Sequence, residues 1–347
     1  MSDPMALLAG PFEDGLLARP EGPVAVLRAR PSQALAGWDL VCEQGFRPDH
    51  DRLLAEGRRV EARLTPEAGP FAAAAALATR SRDETRANLA RAWDLAAEGA
   101  PVILAGAKTD GVEGHQRALR RAVAPLGLEV EALPRGHGRA VWTRRRGPAP
   151  AVFAEWIEAA APAKRVEAFG RGFVTVAGAF SWDGVDPGSA LLAEALPALS
   201  GRVADLGAGW GFLAAAALRS AEVERLDLVE AERTVLDCAE ANLAGDARAA
   251  FHWADAADPP LPEGAFDAVI ANPPFHAGRR AEPAVGAAFL ASAARLLAPR
   301  GALWAVANRQ LPYERTLSER FAQAEEIGGD KTYKLLCARR PRTPRRR

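Results

Sequence analysis

In the second half of the chain Asn272 is followed by Pro273, Pro274, Phe275 and His276. Consecutive prolines cannot continue a β-ladder, because neither supplies a backbone N–H. The apolar run 266–271 ahead of them therefore ends in a stiff loop with an amide at its base. Those residue types suit one chemistry. The amino nitrogen of a nucleobase is a poor nucleophile, since its lone pair is delocalised into the ring. The Asn272 side-chain oxygen and the Pro273 carbonyl can both accept its hydrogens, favouring the pyramidal nitrogen that attacks a methyl group. Pro274 stiffens the loop, and Phe275 offers a face on which a base stacks. His276 reads as pocket wall rather than base, since the proton leaves readily after methyl transfer. In isolation the same residues would also make an ordinary turn.

A methyl donor needs its own cradle, and a second constellation supplies one in Asp205-Leu206-Gly207-Ala208-Gly209-Trp210-Gly211. Glycines let the backbone turn sharply and approach a ligand, and a helix start beyond them offers free N–H groups. The spacing is G-x-G-x-G behind an acid, not the G-x-G-x-x-G that cradles a pyrophosphate. S-adenosylmethionine has no phosphate and carries a positive sulfonium, so an acid beside the turn suits it better than a dinucleotide. Glu230 closes the next apolar run, where a carboxylate accepts from both ribose hydroxyls; nicotinamide-binding folds share that device, so it places an adenosine without saying which. Asp255 either accepts from the adenine amino group or turns the chain within 254–258.

The elements that must hold these residues alternate between strand-like and helical runs, which implies a parallel sheet. Strands are expected at 202–205, 226–229, 250–253, 266–271 and 302–307, helices from Phe212 to Arg219, from Arg233 to Leu243 and from Ala284 to Leu297, and a closing hairpin of 324–327 with 332–338. In such sheets ligands sit beyond the carboxyl ends of the strands, where both motifs fall. The break Gly147-Pro148-Ala149-Pro150 suggests a boundary between residues 1–150 and 151–338, with 339–347 as a basic tail. The first part shows a helix at 83–98, a strand at 101–105, a helix at 113–124 and a hairpin at 129–144, so a duplication of the same β-α pattern is expected.

With 347 residues, 49% hydrophobic and 25% charged, the chain is of ordinary globular composition and long enough for two cores. No run is long and apolar enough for a membrane span and no leader is evident, so a cytoplasmic protein acting as a single chain is expected. Cys42, Cys238 and Cys337 are far apart and provide neither a disulfide framework nor metal-ligand spacing. The formal net charge of zero argues against coating nucleic acid by charge alone, and leaves Arg139, Arg144–Arg146 and the six arginines of 339–347 as the basic clusters. The tail is either solvated or a contact to RNA phosphates.

Together these residues resemble class I methyltransferases of Rossmann-like α/β fold, and among them the N-P-P-[FY] group that methylates amino nitrogens. Phe180 to Ser189, Asn272 to His276 and Val306 to Tyr313 are similar to the bacterial ribosomal RNA small subunit methyltransferase C family, as is the segment Ala105 to Val112 in the first half. The resemblance implies two tandem domains, the first a degenerate copy that supports RNA binding or the fold and has lost the cofactor. It implies methylation of a guanine amino group in 16S rRNA, naked or in the assembled small subunit. By it Asp205, Gly207, Ala208, Gly209 and Gly211 hold the methionine end, Glu230 the ribose and Asp255 the adenine, while Asn272, Pro273, Pro274 and Phe275 hold the guanine. Pro187, Ala208 and Trp210 fall where the family varies. A guanine on the large subunit, or a release-factor glutamine, for which the aromatic is usually Tyr, are the alternative substrates of this loop.

Overall fold

The computed structural model describes residues 3–342 apart from Phe275 and positions 278, 279 and 282; the side chains of 275–283 also lie outside the description, as do the arginines at 345–347. The chain forms two compact units, Met1–Pro162 with Val176–Gly178, and Ala163–Thr175 with Ala179–Arg347.

The first unit contains strands β1 (Val24–Leu27), β2 (Leu40–Glu43), β3 (Arg59–Glu61), β4 (Ala73–Leu77), β5 (Pro101–Ala107), β6 (Glu131–Arg135) and β7 (Gly138–Arg144) in the order β3-β2-β1-β4-β5-β7-β6. Five are parallel, and β7 enters antiparallel between β5 and β6. Helices α1 (Pro4–Glu13), α2 (Arg47–Ala55), α3 (Arg82–Leu95), α4 (Val112–Val123) and α5 (Val152–Ala160) accompany them.

The second unit starts with the hairpin β8 (Ala163–Ala168) and β9 (Arg171–Thr175), then α6 (Pro187–Ala195), β10 (Gly201–Leu206), α7 (Phe212–Ala217), β11 (Val223–Glu230), α8 (Arg233–Leu243), β12 (Ala249–Trp253) and β13 (Phe266–Ala271). The short pair β14 (His276–Ala277) and β15 (Arg280–Ala281) leads to α9 (Pro283–Leu296), β16 (Leu297–Asn308), α10 (Tyr313–Arg320), β17 (Phe321–Gly329) and β18 (Tyr333–Pro341). Its sheet runs β12-β11-β10-β13-β16-β18-β17, the same order and strand directions as the first. The expected duplication is thus a duplication of topology. Both sheets are covered on two faces, which is why their central strands are continuous apolar runs: Val203, Ala204, Leu206, Val269 and Ile270 are all fully buried.

The unit boundary falls after Pro162, not at Pro150. The proline break is only a turn ahead of α5, whose Phe153 and Trp156 belong to the first unit's core; the Phe153 ring lies 5.7 Å from Trp93 and 4.9 Å from Trp156. The basic tail also begins later than residue 339. Arg339 lies in β18, ion-paired with Glu325 at 3.2 Å, and Pro341 still pairs with Phe321 at the strand's end. The strand's end tolerates this proline, since the pairing of β18 with β16 stops at Arg339 and the missing N–H is not needed by that ladder.

The two copies differ where a cofactor turn would form. After β1 the chain passes through Arg28, at φ 59, and reaches β2 without a helix among the described residues, whereas β10 passes into glycines and α7. At the end of β2 stands Glu43, one position short of the place that Glu230 takes at the end of β11: Glu43 lies level with Leu27 of β1, as Val229 does with Leu206 of β10. Its carboxylate is filled from within: Arg91 of α3 binds it through both terminal nitrogens, at 2.7 and 2.5 Å, and the Leu64 N–H donates at 2.6 Å. The pair is almost wholly buried, with side chains 14% and 6% exposed. Removing one partner leaves an uncompensated charge inside, which costs about 3–5 kcal/mol. Arg91→Ala is therefore expected to lower unfolding free energy by about 3 kcal/mol or more in a denaturant titration; a loss under about 1 kcal/mol contradicts this account of the first unit.

Candidate active site

The glycine turn sits at the carboxyl end of β10. Gly207, Gly209 and Gly211 have φ of +75, +56 and +91, a region that favours glycine. They do different things. A Cβ on Gly207 would meet the Phe289 ring at 2.9 Å, so this glycine lets α9 approach, while Gly209 faces open space with no atom within 4 Å of that position. The Gly207 and Ala208 N–H groups both donate to the Val229 carbonyl, at 2.9 and 3.0 Å, locking the turn to β11. Trp210 reaches away from it and donates from Nε1 to the Ser181 carbonyl at 3.2 Å. Asn242 of α8 braces the same place, donating to the carbonyls of Trp210 at 2.9 Å and Val174 at 2.8 Å. A cleft results, lined by Phe180, Ser181, Asp186, Ser189, Gly207 to Trp210 and Asn272.

Glu230 borders this turn. One carboxylate oxygen accepts from the Gly209 N–H at 2.9 Å and the other from the Glu232 N–H at 2.9 Å. A carboxylate has about four lone-pair positions, so these bonds leave acceptor capacity for a hydroxyl group. Burial pushes its pKa up, and the backbone N–H groups of Glu232, Gly209 and Ala231 offset part of that. Open space at Gly209 and a carboxylate with spare acceptor capacity beside it fit an adenosine-bearing ligand.

Asp205 is placed differently from the expectation. It is fully buried under the turn, outside the residues that line the cleft, and neither carboxyl oxygen has a hydrogen-bond partner of normal geometry among the described residues. Burial first, and then the neighbouring Glu230 charge, raise its pKa to about 8, with only the Ala214 N–H acting the other way. Burial therefore favours the protonated form of this acid beneath the turn. Asp255 accepts the Ala257 N–H at 2.8 Å through one oxygen, the geometry of a side chain capping its own turn.

Asn272 ends β13 on the far side of the cleft. Its Nδ2 donates to Asp186 Oδ2 at 3.0 Å and to Ser189 Oγ at 2.8 Å. Asp186 is the N-cap of α6, its same oxygen accepting the Ser189 N–H at 2.7 Å, with Pro187 in the first turn. Asp186 and Ser189 are 7% and 8% exposed, so the amide is gripped in a nearly dry corner. Turning it over would set its oxygen against the Asp186 carboxylate. The amide oxygen is thereby left as the acceptor available to a ligand. Pro273 is buried and Pro274 exposed, while Phe275 lies outside the described residues, as does the His276 side chain.

Sequence reasoning missed Asp186 and Ser189 as site residues, and with them the bracing by Trp210 and Asn242. The signal was present in Asp186-Pro187-Gly188-Ser189, which reads as an N-cap followed by proline at a helix start. Gly188 completes it: a Cβ there would meet the Tyr333 ring at 2.9 Å, so only glycine lets α6 lie against β18.

Residues 170–337 match the family model described as Methyltransferase small domain. Among curated relatives, ribosomal RNA small subunit methyltransferase C of Shewanella sp. (strain MR-4) is 35% identical over 158 residues, 46% of this chain and 46% of that protein, so the chain matches about half the length of that relative. The protein of the same description from Klebsiella pneumoniae is 30% identical over 342 residues, 96% of this chain and 92% of the relative. Among solved structures, the T. thermophilus 16S rRNA N2 G1207 methyltransferase in complex with AdoMet and guanosine is similar with a TM-score of 0.79 and 25% identity, covering 97% of this chain and 91% of that one.

The buried acid gives a pH signature. Unfolded, Asp205 titrates near about 3.9; folded, near about 8. The folded state holds the extra proton between these values, so this group's contribution to stability is full below pH ~4 and is lost as pH rises towards ~8. Asp205→Asn removes this titration. The melting temperature of the ligand-free variant should decline less between pH 5 and 8.5 than the wild type's, with Glu230 maintaining part of the slope. Identical pH dependence in the two proteins contradicts a protonated Asp205.

Proposed function

The chain belongs to the ribosomal RNA small subunit methyltransferase C family, and from that premise we propose that it transfers a methyl group from S-adenosylmethionine to the exocyclic N2 of a guanine in 16S ribosomal RNA. The observation that carries this reading is the commitment of Asn272 Nδ2 to Asp186 and Ser189, which leaves an oriented amide oxygen opposite the glycine turn. An acceptor fixed in advance favours the pyramidal amine of the transition state over the planar amine of the free base, and costs no reorganisation when the reaction occurs.

Each group then has its task. The Asn272 oxygen and the Pro273 carbonyl accept the two amino hydrogens, and Phe275 stacks the base. Gly207, Ala208, Gly209 and Gly211 hold the methionine end, Glu230 accepts from the ribose hydroxyls, and Asp255 takes the adenine amino group with the oxygen that does not cap its turn. S-adenosylmethionine supplies an electrophilic methyl group on a positive sulfonium. Asp205 acts on the turn from beneath, not on the ligand. The methylated amine carries a proton of low affinity, which water or the loop carbonyls can remove, so no dedicated base is required.

The first unit, with its Glu43 site closed by Arg91, serves RNA binding or support of the fold. The partner is ribosomal RNA or the assembled small subunit, the protein works as a single chain, and its place is the cytoplasm. No helix among the described residues is long and apolar enough to cross a membrane.

Incubating the chain with 16S rRNA or small subunits and a labelled methyl donor should yield 2-methylguanosine on nucleoside mass spectrometry. Asn272→Ala should bind the donor with nearly unchanged affinity yet lose at least the ~100-fold in single-turnover rate typical of an oriented transition-state hydrogen bond. Label on adenine or on protein, or a loss below about tenfold, overturns the proposal.

A further inference from the structure

A second cleft in the catalytic unit, about 450 Å³, lies apart from Asn272 and is lined by Phe169, Arg171, Ala215, Arg219, Asn242 and Asp246 among others. It is bounded by the C-terminal halves of α7 and α8 and by the β8–β9 turn. Arg171 and Arg219 are exposed, and neither side chain has an ion pair or hydrogen bond among the described residues. Each guanidinium instead lies on a ring, Arg171 at 4.6 Å from the Phe173 centroid and Arg219 at 5.5 Å from that of Phe169. The acid in the cleft, Asp246, is bound by Arg248 at 2.7 Å and lies within reach of the Arg171 charge, which together hold its carboxyl below the usual range, so one carboxylate faces two arginines there and Arg219 besides. The balance of charge is positive.

The turn that presents Phe169 is built at a cost. Phe169 and Gly170 have φ of +51 and +73, the left-handed pair of a two-residue hairpin turn, for which Asn-Gly or Gly-Gly is the relaxed choice. Stacking offsets the strain of the bulky residue: its ring lies on Phe212 at 5.1 Å and 16°, and edge-on to Phe173 at 6.4 Å. Phe212 also lines the cleft that contains Asn272. The two clefts therefore share α7, whose six residues span about 9 Å.

We propose that this arginine-lined cleft binds phosphates of the rRNA strand that flanks the target guanine. A guanidinium held flat on an aromatic ring presents its N–H fork in a fixed plane and loses little freedom on gripping a phosphate. Such contacts fix the register of the strand and raise affinity without choosing the base. The inference rests on the RNA methyltransferase reading, and its test is separable from it.

The test measures binding of a 16S rRNA fragment across a salt series for the wild type and for R171Q/R219Q. Taking away the partners of two phosphates on a single strand should flatten the slope of log affinity against log salt by about 1.4. Rate at saturating RNA and donor affinity should stay as in the wild type. R171K/R219K keeps both charges and should restore the slope, which a merely structural role would not produce. An unchanged slope in R171Q/R219Q overturns the proposal, as does a slope that stays flattened in the lysine variant. Absence of methylation by the wild type refutes the functional reading instead, and is read separately from the binding slopes.

Discussion

The grip of Asp186 and Ser189 on the amide of Asn272 is the interaction on which the catalytic unit depends. It joins elements far apart in sequence: the end of β13, where two prolines stop the ladder, and the start of α6, where an aspartate caps the helix. Its geometry requires α6 to lie flat on the sheet, which the missing side chain of Gly188 permits against Tyr333. The segment leading into α6 is tied to the cofactor turn by Trp210 through the Ser181 carbonyl. Donor side and acceptor side of the cleft are thus positioned by one stretch of chain, 180–189. A shift there would move the acceptor oxygen and the glycine turn together, and misplacement by about 1 Å is enough to slow such a reaction by two orders of magnitude.

Two sheets of identical order hold the carboxylate near the end of the corresponding strand in different ways. In the second unit Glu230 is held only by backbone N–H groups and retains capacity for hydroxyl donors. In the first, Glu43 is bound by an arginine fork and a backbone N–H, so its charge is already met by a cation from within the unit. A buried ion pair of this type punishes the loss of either partner, so it ties the end of β2 firmly to α3.

Much of the second unit was legible because its signals are local. The helix Arg233–Leu243 and the strand Phe266–Ala271 have the boundaries read from periodicity, and the glycine turn and Asn-Pro-Pro loop fall at strand ends as expected. The first four strands of the first unit were not legible. β4 is Ala-Ala-Ala-Ala-Leu, buried on both faces, and shows neither alternation nor β-branched residues. The short helices α6 and α10 escaped for lack of a full apolar period. Asp205 looked like a counter-charge for a sulfonium because sequence shows that an acid is adjacent to the turn, not which way it is buried. The partners of Asn272 lie 83 and 86 positions away, beyond any local pattern.

The most direct test of the account is the single-turnover methyl-transfer rate of D186A/S189A compared with D186N. The double substitution removes both acceptors that hold the Asn272 amide. The amide introduced by D186N keeps one oxygen able to accept from Asn272 and from the Ser189 N–H, and asparagine caps a helix as well as aspartate. The account predicts a fall of about tenfold to a hundredfold in D186A/S189A with unchanged donor affinity, and a rate near that of the wild type in D186N. Equal rates in D186A/S189A and the wild type would contradict it, because the amide would then need no support to do its work.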